Sequence, residues 1–163
     1  MSDVVDGASP SEVVLRVVPI DHPRAREMET KHIAEMAARY GGRGPGPLRG
    51  HELEPPGGLF VVAFLDARAV GCGGFRALNP DVAEIKRMYV DTAVRGGGIG
   101  RRILSFLEAR AAAAGYTETW LETGSEQPEA ISLYLSAGYR PRDAYGEFKD
   151  DPSSRCFSRT LDS

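Results

Sequence analysis

The sequence predicts one α/β domain with a sheet of mixed strand direction. Short segments rich in Val, Leu and Phe alternate with longer amphipathic segments, and Gly or Pro marks most boundaries between them. The chain has 163 residues, 42% of them hydrophobic and 26% charged, which is typical of a globular domain. We expect the order β-α-β-β-β-α-β-α-β, with a flexible start over residues 1–11 and a single domain over residues 12–163.

The first strand and the first helix follow this flexible start. Glu12–Val18 is rich in Val and ends before Pro19, which favours a strand. Asp21 can cap a helix that has Pro23 in its first turn and continues to about Tyr40. The apolar positions of this helix recur at roughly helical spacing and predict a face toward the core: Met28, Ile33, Met36 and Ala37.

A loop rich in Gly and Pro interrupts the chain from Gly41 to Gly58. Eleven of its eighteen residues are Gly or Pro, a composition that cannot hold a helix. Long loops within compact domains are either functional or simply mobile, and the composition leaves both open.

Three strands are predicted after this loop. Leu59–Leu65 and Ala69–Leu78 form a hairpin pattern around a short turn, and Ala83–Val90 follows a second turn. The pair Gly73 and Gly74 indicates a bulge or a close approach of another backbone.

The second half of the chain alternates helices and strands. Ile99–Ala114 has apolar residues on one face and is followed by Gly115, which favours a helix with a glycine stop. Thr117–Thr123 is predicted as a strand, Pro128–Ala137 as a short helix and Arg155–Leu161 as the last strand.

Charge and hydropathy exclude several classes of function. Lys and Arg number 20 against 23 Asp and Glu, a formal net charge of -3, so no basic field points to nucleic acid. No apolar run approaches the ~20 residues that a membrane span needs. Met1–Glu12 carries three acidic residues and no Lys or Arg, unlike a secretory signal, so we expect a cytoplasmic protein.

The cysteines and histidines form no metal or disulfide motif. Cys72 and Cys156 lie in apolar, strand-like segments and are expected to be reduced, buried thiols. His22, His32 and His51 share no ligand spacing. We therefore expect no metal, although a site built from distant carboxylates stays open as an alternative.

The most informative segment for chemistry runs from Arg95 to Arg101 and reads RGGGIGR. It lies between a strand and an amphipathic helix, where glycines let backbone N–H groups converge and the helix N-terminus adds positive potential. The two arginines add cationic donors that suit phosphate oxygens. These features predict a phosphate or pyrophosphate cradle, and the alternative is a flexible glycine turn that binds nothing.

Two common phosphate-binding motifs do not fit this segment. A P-loop needs Lys and then Ser or Thr after its last glycine, whereas Gly100 is followed by Arg101 and Arg102. A dinucleotide-binding fingerprint needs a third glycine where Ile103 stands.

Three motifs occur in order over the middle of the chain. Arg95, Gly98 and Gly100 match the pattern Q/R-x-x-G-x-G/A. Glu84–Val90 precedes them as a strand, and Ala130–Tyr139 follows with the pattern A-x-x-L-Y-x-x-x-G-F/Y. Together these motifs resemble the GCN5-related N-acetyltransferase (GNAT) family. The resemblance implies a mainly antiparallel sheet flanked by helices, and acetyl-CoA as co-substrate.

The resemblance also implies how acetyl-CoA is held. Met88, Tyr89 and Val90 would present backbone groups to the pantetheine arm and one N–H to the thioester carbonyl. Gln127 stands where the family often has an Asn that bonds the pantetheine. The pyrophosphate would lie on the backbone N–H groups of Arg95, Gly96, Gly97, Gly98, Ile99, Gly100 and Arg101.

Acetyl transfer to an amine requires a proton acceptor and a proton donor. Glu84 matches an acidic position often used as the base in the family, and Glu122 is the second candidate. Tyr134 matches the family tyrosine that donates a proton to the departing thiolate. The alternatives are ion-paired strand carboxylates and a tyrosine that only packs in the core.

The acceptor is expected to be a small-molecule primary amine. Family pockets correspond here to about Met28–Gly58 and Arg140–Asp151, and the second range offers an acidic, aromatic rim for a cationic amine. The alternative function is a catalytically silent acyl-CoA-binding sensor. We expect a bacterial protein that is a monomer or a homodimer, with the last strand around Cys156 and Phe157 as a candidate edge for pairing.

Overall fold

The computed structural model describes residues 12–42 and 51–162. The predictions for residues 1–11 and for the middle of the Gly- and Pro-rich loop, residues 43–50, lie outside them. The helices are α1 (Pro23–Arg39), α2 (Ile99–Ala113) and α3 (Pro128–Ser136). The strands are β1 (Val14–Val17), β2 (Leu59–Leu65), β3 (Arg68–Asn79), β4 (Val82–Val90), β5 (Glu118–Gly124), β6 (Arg140–Arg142) and β7 (Ser154–Thr160).

The strands of the described residues form one seven-stranded sheet in the order β1-β2-β3-β4-β5-β7-β6. β4 and β5 run parallel, and every other neighbouring pair is antiparallel. The expected mixed, mainly antiparallel sheet flanked by helices is therefore confirmed.

The two faces of the sheet are covered by different helices. Successive side chains of a strand point to opposite faces, and in β2 Val61 packs with α2 and α3 while Phe60 packs with α1. On the α2 side Ile103 and Leu107 are fully buried, and on the α1 side Met28 is fully buried. None of these helices, within the part of the chain that the structure describes, is long and apolar enough to cross a membrane.

Strands β4 and β5 stay paired over only four residues each, and their register ends with Ile85 opposite Leu121. Beyond this point β4 continues to Val90 beside β3, and β5 continues to Gly124 beside β7. The two strands therefore part in the middle of the sheet and leave a cleft between their C-terminal halves.

A β-bulge lies in β4 at the start of this cleft. Gly73 of β3 faces both Arg87 and Met88, and Arg87 has a φ of 62°. A Cβ at Gly73 would lie 2.7 Å from the Met88 sulfur. A Cβ at Gly74 would lie 2.7 Å from the Leu59 carbonyl oxygen. Both the bulge and the close backbone approach predicted at this pair of glycines are confirmed.

The N-terminus of α1 differs from the prediction. The capping residue is His22, whose Nδ1 accepts a hydrogen bond from the Arg24 N–H at 3.0 Å. The prediction of Asp21 as the cap was wrong, because the His22 ring nitrogen accepts the orphan N–H that a carboxylate or hydroxyl oxygen usually accepts.

The buried stripe of α1 also differs in one position. Ile33 is 44% exposed, whereas the next residue toward the N-terminus, His32, is buried. The predicted inward position of Ile33 was wrong, because the face toward the sheet repeats at intervals of three and four residues. Its members are Ala25, Met28, His32 and Met36.

The C-terminal part of the sheet contains one strand that the pattern did not reveal. Strand β6 is only three residues long and contains Pro141, which suits the sheet edge on which it lies. Because β6 pairs with β7, the suggested free edge around Cys156 and Phe157 was wrong. Both Cys72 and Cys156 are free and buried, as expected.

Gly58 places the loop before β2 against the sheet. Its N–H donates to the Glu54 carbonyl, and a Cβ here would overlap the carbonyl oxygens of Glu52 and Phe75. We expect Gly58→Ala to lower the free energy of unfolding by about 2–4 kcal/mol, because neither backbone can move aside cheaply. Urea denaturation monitored by circular dichroism measures this loss.

The matched control is Gly57→Ala, where a Cβ would make only ordinary contacts at 3.8 and 4.0 Å. We expect this variant to change the unfolding free energy by less than about 0.5 kcal/mol. Equal losses in the two variants would contradict the assignment.

Candidate active site

The glycine loop joins β4 to the N-terminus of α2. Gly96 and Gly98 have φ values of 86° and 88°, and Gly98 is the N-cap residue of α2. These backbone conformations favour glycine. Since no side chain of the residues that the structure describes caps α2, its first N–H groups are left for another acceptor. Over residues 12–42 and 51–162, a Cβ at Gly96 would meet no atom within 4 Å, so this side of the loop is open to an approaching group.

The two arginines of the loop contact the protein itself. Arg95 donates through Nε to the Val90 carbonyl at 2.8 Å and through Nη2 to Glu35 at 2.5 Å. Arg101 donates to the Ser136 hydroxyl at 3.2 Å. In this arrangement the Arg95 guanidinium holds the loop against α1 and β4.

The C-terminus of α1 is tied to the start of α3. Arg39 forms ion pairs with both Glu35 and Glu129. Tyr40 donates a hydrogen bond to Gln127 Oε1 at 3.0 Å. These contacts place α1 beside one end of the cleft.

A cavity of about 190 Å³ lies where β4 and β5 part. Its walls come from α1, from both parting strands, from the start of α3 and from the segment before β7. The side chains on which the chemistry depends are His32, Arg76, Glu84, Lys86, Met88, Glu122, Gln127, Tyr134 and Tyr145.

The Glu84 carboxylate is buried at the edge of this cavity and is already engaged. Its Oε1 accepts from Arg76 Nε at 2.7 Å, and its Oε2 accepts from the Tyr145 hydroxyl at 2.9 Å. Only 9% of its side chain is exposed. Both oxygens of the first-choice base are therefore committed to neighbours within the protein.

The Glu122 carboxylate has a different environment. Burial, partly offset by a hydrogen bond from Ser154 at 2.9 Å, raises the pKa of Glu122 from 4.5 to about 7. The nearby Glu84 carboxylate raises this pKa further, and Lys86 opposes the rise. A carboxylate with a pKa near neutral can accept a proton from a substrate and release it again.

Tyr134 is buried where α3 meets the sheet, and it also lines the cavity. Burial and the Glu122 carboxylate raise the pKa of its hydroxyl. Its ring packs against Tyr139 and Phe157, with ring centroids 5.9 and 6.5 Å away. Tyr134 therefore both packs in the core and lines the cavity. Its hydroxyl stays protonated at neutral pH.

The residues predicted to hold the pantetheine lie along the parted end of β4 and at the start of α3. Met88 lines the cavity, and Tyr89 is buried with its ring centroid 5.6 Å from that of His32. The Val90 carbonyl is already used by Arg95. Gln127 Oε1 accepts hydrogen bonds from Tyr40 and from the Gly124 N–H.

Three contributors to the site had no individual role predicted from the sequence, although His32 and Tyr145 lie in the two ranges expected to form the acceptor pocket. Tyr145 reaches Glu84 across 61 residues of chain, and Arg76 reaches the same carboxylate across 8. His32 has a pKa lowered to about 4 by burial and by Arg87, so its imidazole is neutral. Of these three residues, His32 could have been placed from the sequence, because helical spacing puts it on the buried stripe of α1.

Within residues 12–42 and 51–162, no cluster of three or more His, Cys, Asp or Glu side chains is arranged to hold a metal ion.

Comparison with known proteins identifies the class of protein that this fold and site define. The model of the acetyltransferase (GNAT) family matches residues 23–139, and the chain belongs to this family. The protein is therefore an acyltransferase, as the three motifs predicted.

Two relatives illustrate the range of similar proteins. An IAA acetyltransferase of Azospirillum brasilense is 39% identical over 111 residues, which cover 67% of this chain and 72% of the relative. An N-acetylaspartate synthetase of Rattus norvegicus is 40% identical over 93 residues, which cover 54% of this chain and 30% of the relative. The match to this second protein thus spans less than a third of its length.

Solved structures share the fold over nearly the whole chain. A Klebsiella pneumoniae protein assigned as an acyl-CoA N-acyltransferase has a TM-score of 0.78 and 25% identity, and the alignment covers 92% of this chain and 98% of that one. A GNAT acetyltransferase of Elizabethkingia anophelis with acetyl-CoA bound has a TM-score of 0.64 and 16% identity, with coverage of 92% and 99%.

The raised pKa of Glu122 predicts how stability depends on pH. Between pH 4.5 and about 7 the folded protein holds a proton at Glu122 that the unfolded chain releases, so this group makes stability fall as pH rises. We expect Glu122→Gln to be more stable relative to the wild type at pH 8 than at pH 4, by about 1–2 kcal/mol. Urea denaturation at the two pH values measures the difference.

The control is Glu126, whose exposed side chain lies in the loop that follows β5. Glu126→Gln should show the same stability relative to the wild type at both pH values. If Glu122→Gln behaves in that way too, the Glu122 carboxyl is not perturbed by burial.

Proposed function

We propose that this protein transfers the acetyl group of acetyl-CoA to the primary amine of a small molecule, by direct attack of the amine on the thioester. The observation that carries the proposal is that Glu122 and Tyr134 line one cavity at the point where β4 and β5 part. One group accepts a proton near neutral pH and the other retains one, which are the two properties that the reaction needs.

The open glycine loop fits a pyrophosphate. Uncapped N–H groups at the start of α2, together with Gly96 and Gly98 in left-handed conformations, offer donors at a helix N-terminus. Arg95 contributes by positioning the loop, because its guanidinium is paired with Glu35. The parted edge of β4 from Met88 to Val90 is the candidate surface for the pantetheine. Acetyl-CoA, when bound, supplies the acetyl group as a thioester.

Glu122 is the better candidate for the base. An amine must be neutral to attack, and Glu122 can accept at its carboxylate the proton that the nitrogen loses. Both oxygens of Glu84 accept hydrogen bonds from Arg76 and Tyr145. We assign Glu84 the role of holding these two side chains in the wall of the site, which reverses the order of preference based on the sequence.

Tyr134 is the candidate proton donor. Its raised pKa keeps the hydroxyl protonated at neutral pH, so it can supply the proton that the leaving sulfur takes up. One proton leaves the nitrogen for Glu122 and one reaches the sulfur from Tyr134. The two protein groups then return to their starting states through solvent.

A small acceptor is supported by the size of the site. The cavity of about 190 Å³ is smaller than the roughly 300–1,000 Å³ of pockets for drug-sized ligands. The name of one relative, N-acetylaspartate synthetase, refers to the N-acetyl derivative of an amino acid. The bacterial relative supports a bacterial setting, and we propose that the protein acts in the cytoplasm.

Steady-state kinetics with thiol release from acetyl-CoA test the proposal, using a panel of small amines and peptides. We expect kcat of the wild type to rise with pH to a plateau above about 7, where Glu122 is ionised. Glu122→Gln should lower kcat about 100-fold and remove this inflection. Tyr134→Phe should lower kcat about 10- to 100-fold and leave the inflection in place.

Glu126→Gln controls for a change of charge near the site and should match the wild type. An unchanged pH profile in Glu122→Gln would exclude Glu122 as the base. Binding of acetyl-CoA without turnover of any amine would favour the acyl-CoA-binding sensor instead.

The pyrophosphate cradle makes a separate prediction. We expect Gly98→Glu to abolish acetyl-CoA binding in calorimetry while the protein stays folded, since a charged side chain would enter the cradle. Gly115, at the opposite end of α2, has a φ of 100° and imposes a similar strain on a side chain. Gly115→Glu is therefore the matched control and should bind acetyl-CoA like the wild type. Unchanged affinity in Gly98→Glu would refute the cradle.

A further inference from the structure

Two charged side chains flank the point where β4 and β5 part. Ile85 and Leu121 form the last pair of the parallel register, and the next residues of the two strands are Lys86 and Glu122. Both line the cavity. By strand alternation Lys86 projects from the same face as Glu84, whose carboxylate also borders the cavity. A cation and a proton acceptor therefore occupy opposite sides of one small space.

Lys86 differs from the other cations of the cavity wall. Arg76 is paired with Glu84 and Glu52, and Arg87 is paired with Glu29 at 2.8 Å. No carboxylate among the described residues lies within ion-pair distance of Lys86, although its side chain is half-buried. A partly desolvated ammonium without a counter-ion favours an anionic ligand.

The positive charge of Lys86 nevertheless interacts electrostatically with the Glu122 carboxylate. Its positive charge opposes the rise in the pKa of Glu122 that burial causes. The two groups thus interact without forming an ion pair among the described residues, and both line the same cavity, where a molecule that carries both an amine and an anion can contact each of them.

We propose that the acceptor is an amino acid, with its amine directed to Glu122 and its carboxylate bound by Lys86. This inference rests on the proposed function and adds the second recognition element of the same site. A singly charged carboxylate suits this space better than a dianionic phosphate, because four carboxylates also line the cavity: Glu84, Glu122, Glu147 and Asp151. Lys86 is then a specificity-determining residue.

The test compares amino acids with their amides, which differ only in the carboxylate charge. In the thiol-release assay the wild type should show at least a tenfold higher kcat/KM for its preferred amino acid than for the matching amide. Lys86→Gln should raise KM for the amino acid at least tenfold, change kcat less than twofold and leave the amide within twofold. Lys86→Arg keeps the positive charge and should recover most of the lost affinity.

The assay is run at about pH 8.5, where Glu122 is ionised with or without the neighbouring lysine. The control is Arg110→Gln, which removes an exposed cation from the last turn of α2, away from the cavity, and should match the wild type. Phosphoethanolamine is included as an amine that carries phosphate in place of carboxylate.

Three results would overturn the inference while leaving the proposed function in place. One is equal turnover of amides and acids, another is an equal effect of Lys86→Gln on both, and the third is a preference for phosphoethanolamine or for amines without an anion. Absence of turnover with every amine would instead count against the proposed function itself.

Discussion

The parting of β4 and β5 is the constraint on which the candidate site depends. A parallel pair in the middle of a sheet normally continues to the ends of its strands, since each unpaired N–H and C=O must find another partner. Here the pairing ends at Ile85 and Leu121, and the bulge opposite Gly73 bends β4 at the same level. The inner edges that follow expose backbone groups toward a cavity, where a ligand can pair with them. Glycine at position 73 permits the bend, because a Cβ there would press on the Met88 sulfur.

Two carboxylates on this part of the sheet have different surroundings and therefore different chemistry. Glu84 is neutralised by Arg76 and bonded by Tyr145, so that it organises the wall. Among the described residues, Glu122 accepts a hydrogen bond from the Ser154 hydroxyl and forms no ion pair, although the charge of Lys86 acts on it. Burial without a paired cation raises the pKa of a carboxyl group toward 7. The proposed division between Glu84 as a structural carboxylate and Glu122 as the base thus rests on the neighbours of each group.

The ion pairs around α1 hold the two ends of the site together. Glu35 contacts Arg95 of the glycine loop and Arg39 of its own helix, and Arg39 continues to Glu129 at the start of α3. Such pairs are partly exposed and individually contribute little to stability. As a network they restrict where the glycine loop and the start of α3 can lie relative to each other. Preorganisation of this kind lowers the entropic cost of binding a long, flexible co-substrate.

The sequence by itself determined the order of most elements, the glycine loop and the family. These features depend on local rules: a positive φ favours glycine, as at Gly98, and apolar spacing marks the faces of helices and strands. Short or exceptional local features did not follow such rules. The three residues of β6 carry too little pattern to identify a strand, and the imidazole cap at His22 replaces the usual carboxylate or hydroxyl.

Only the tertiary structure decided which side chains of the site are engaged and which are available. Glu84 and Glu122 look alike in the sequence, and they differ because Tyr145, 61 residues after Glu84, and Ser154, 32 residues after Glu122, come from the same distant segment. Distant residues also pair with the arginines near Lys86: Glu52 contacts Arg76, and Glu29 contacts Arg87. Contacts between residues far apart in the chain set burial and charge pairing, and these set the pKa and the ligand preference of each group.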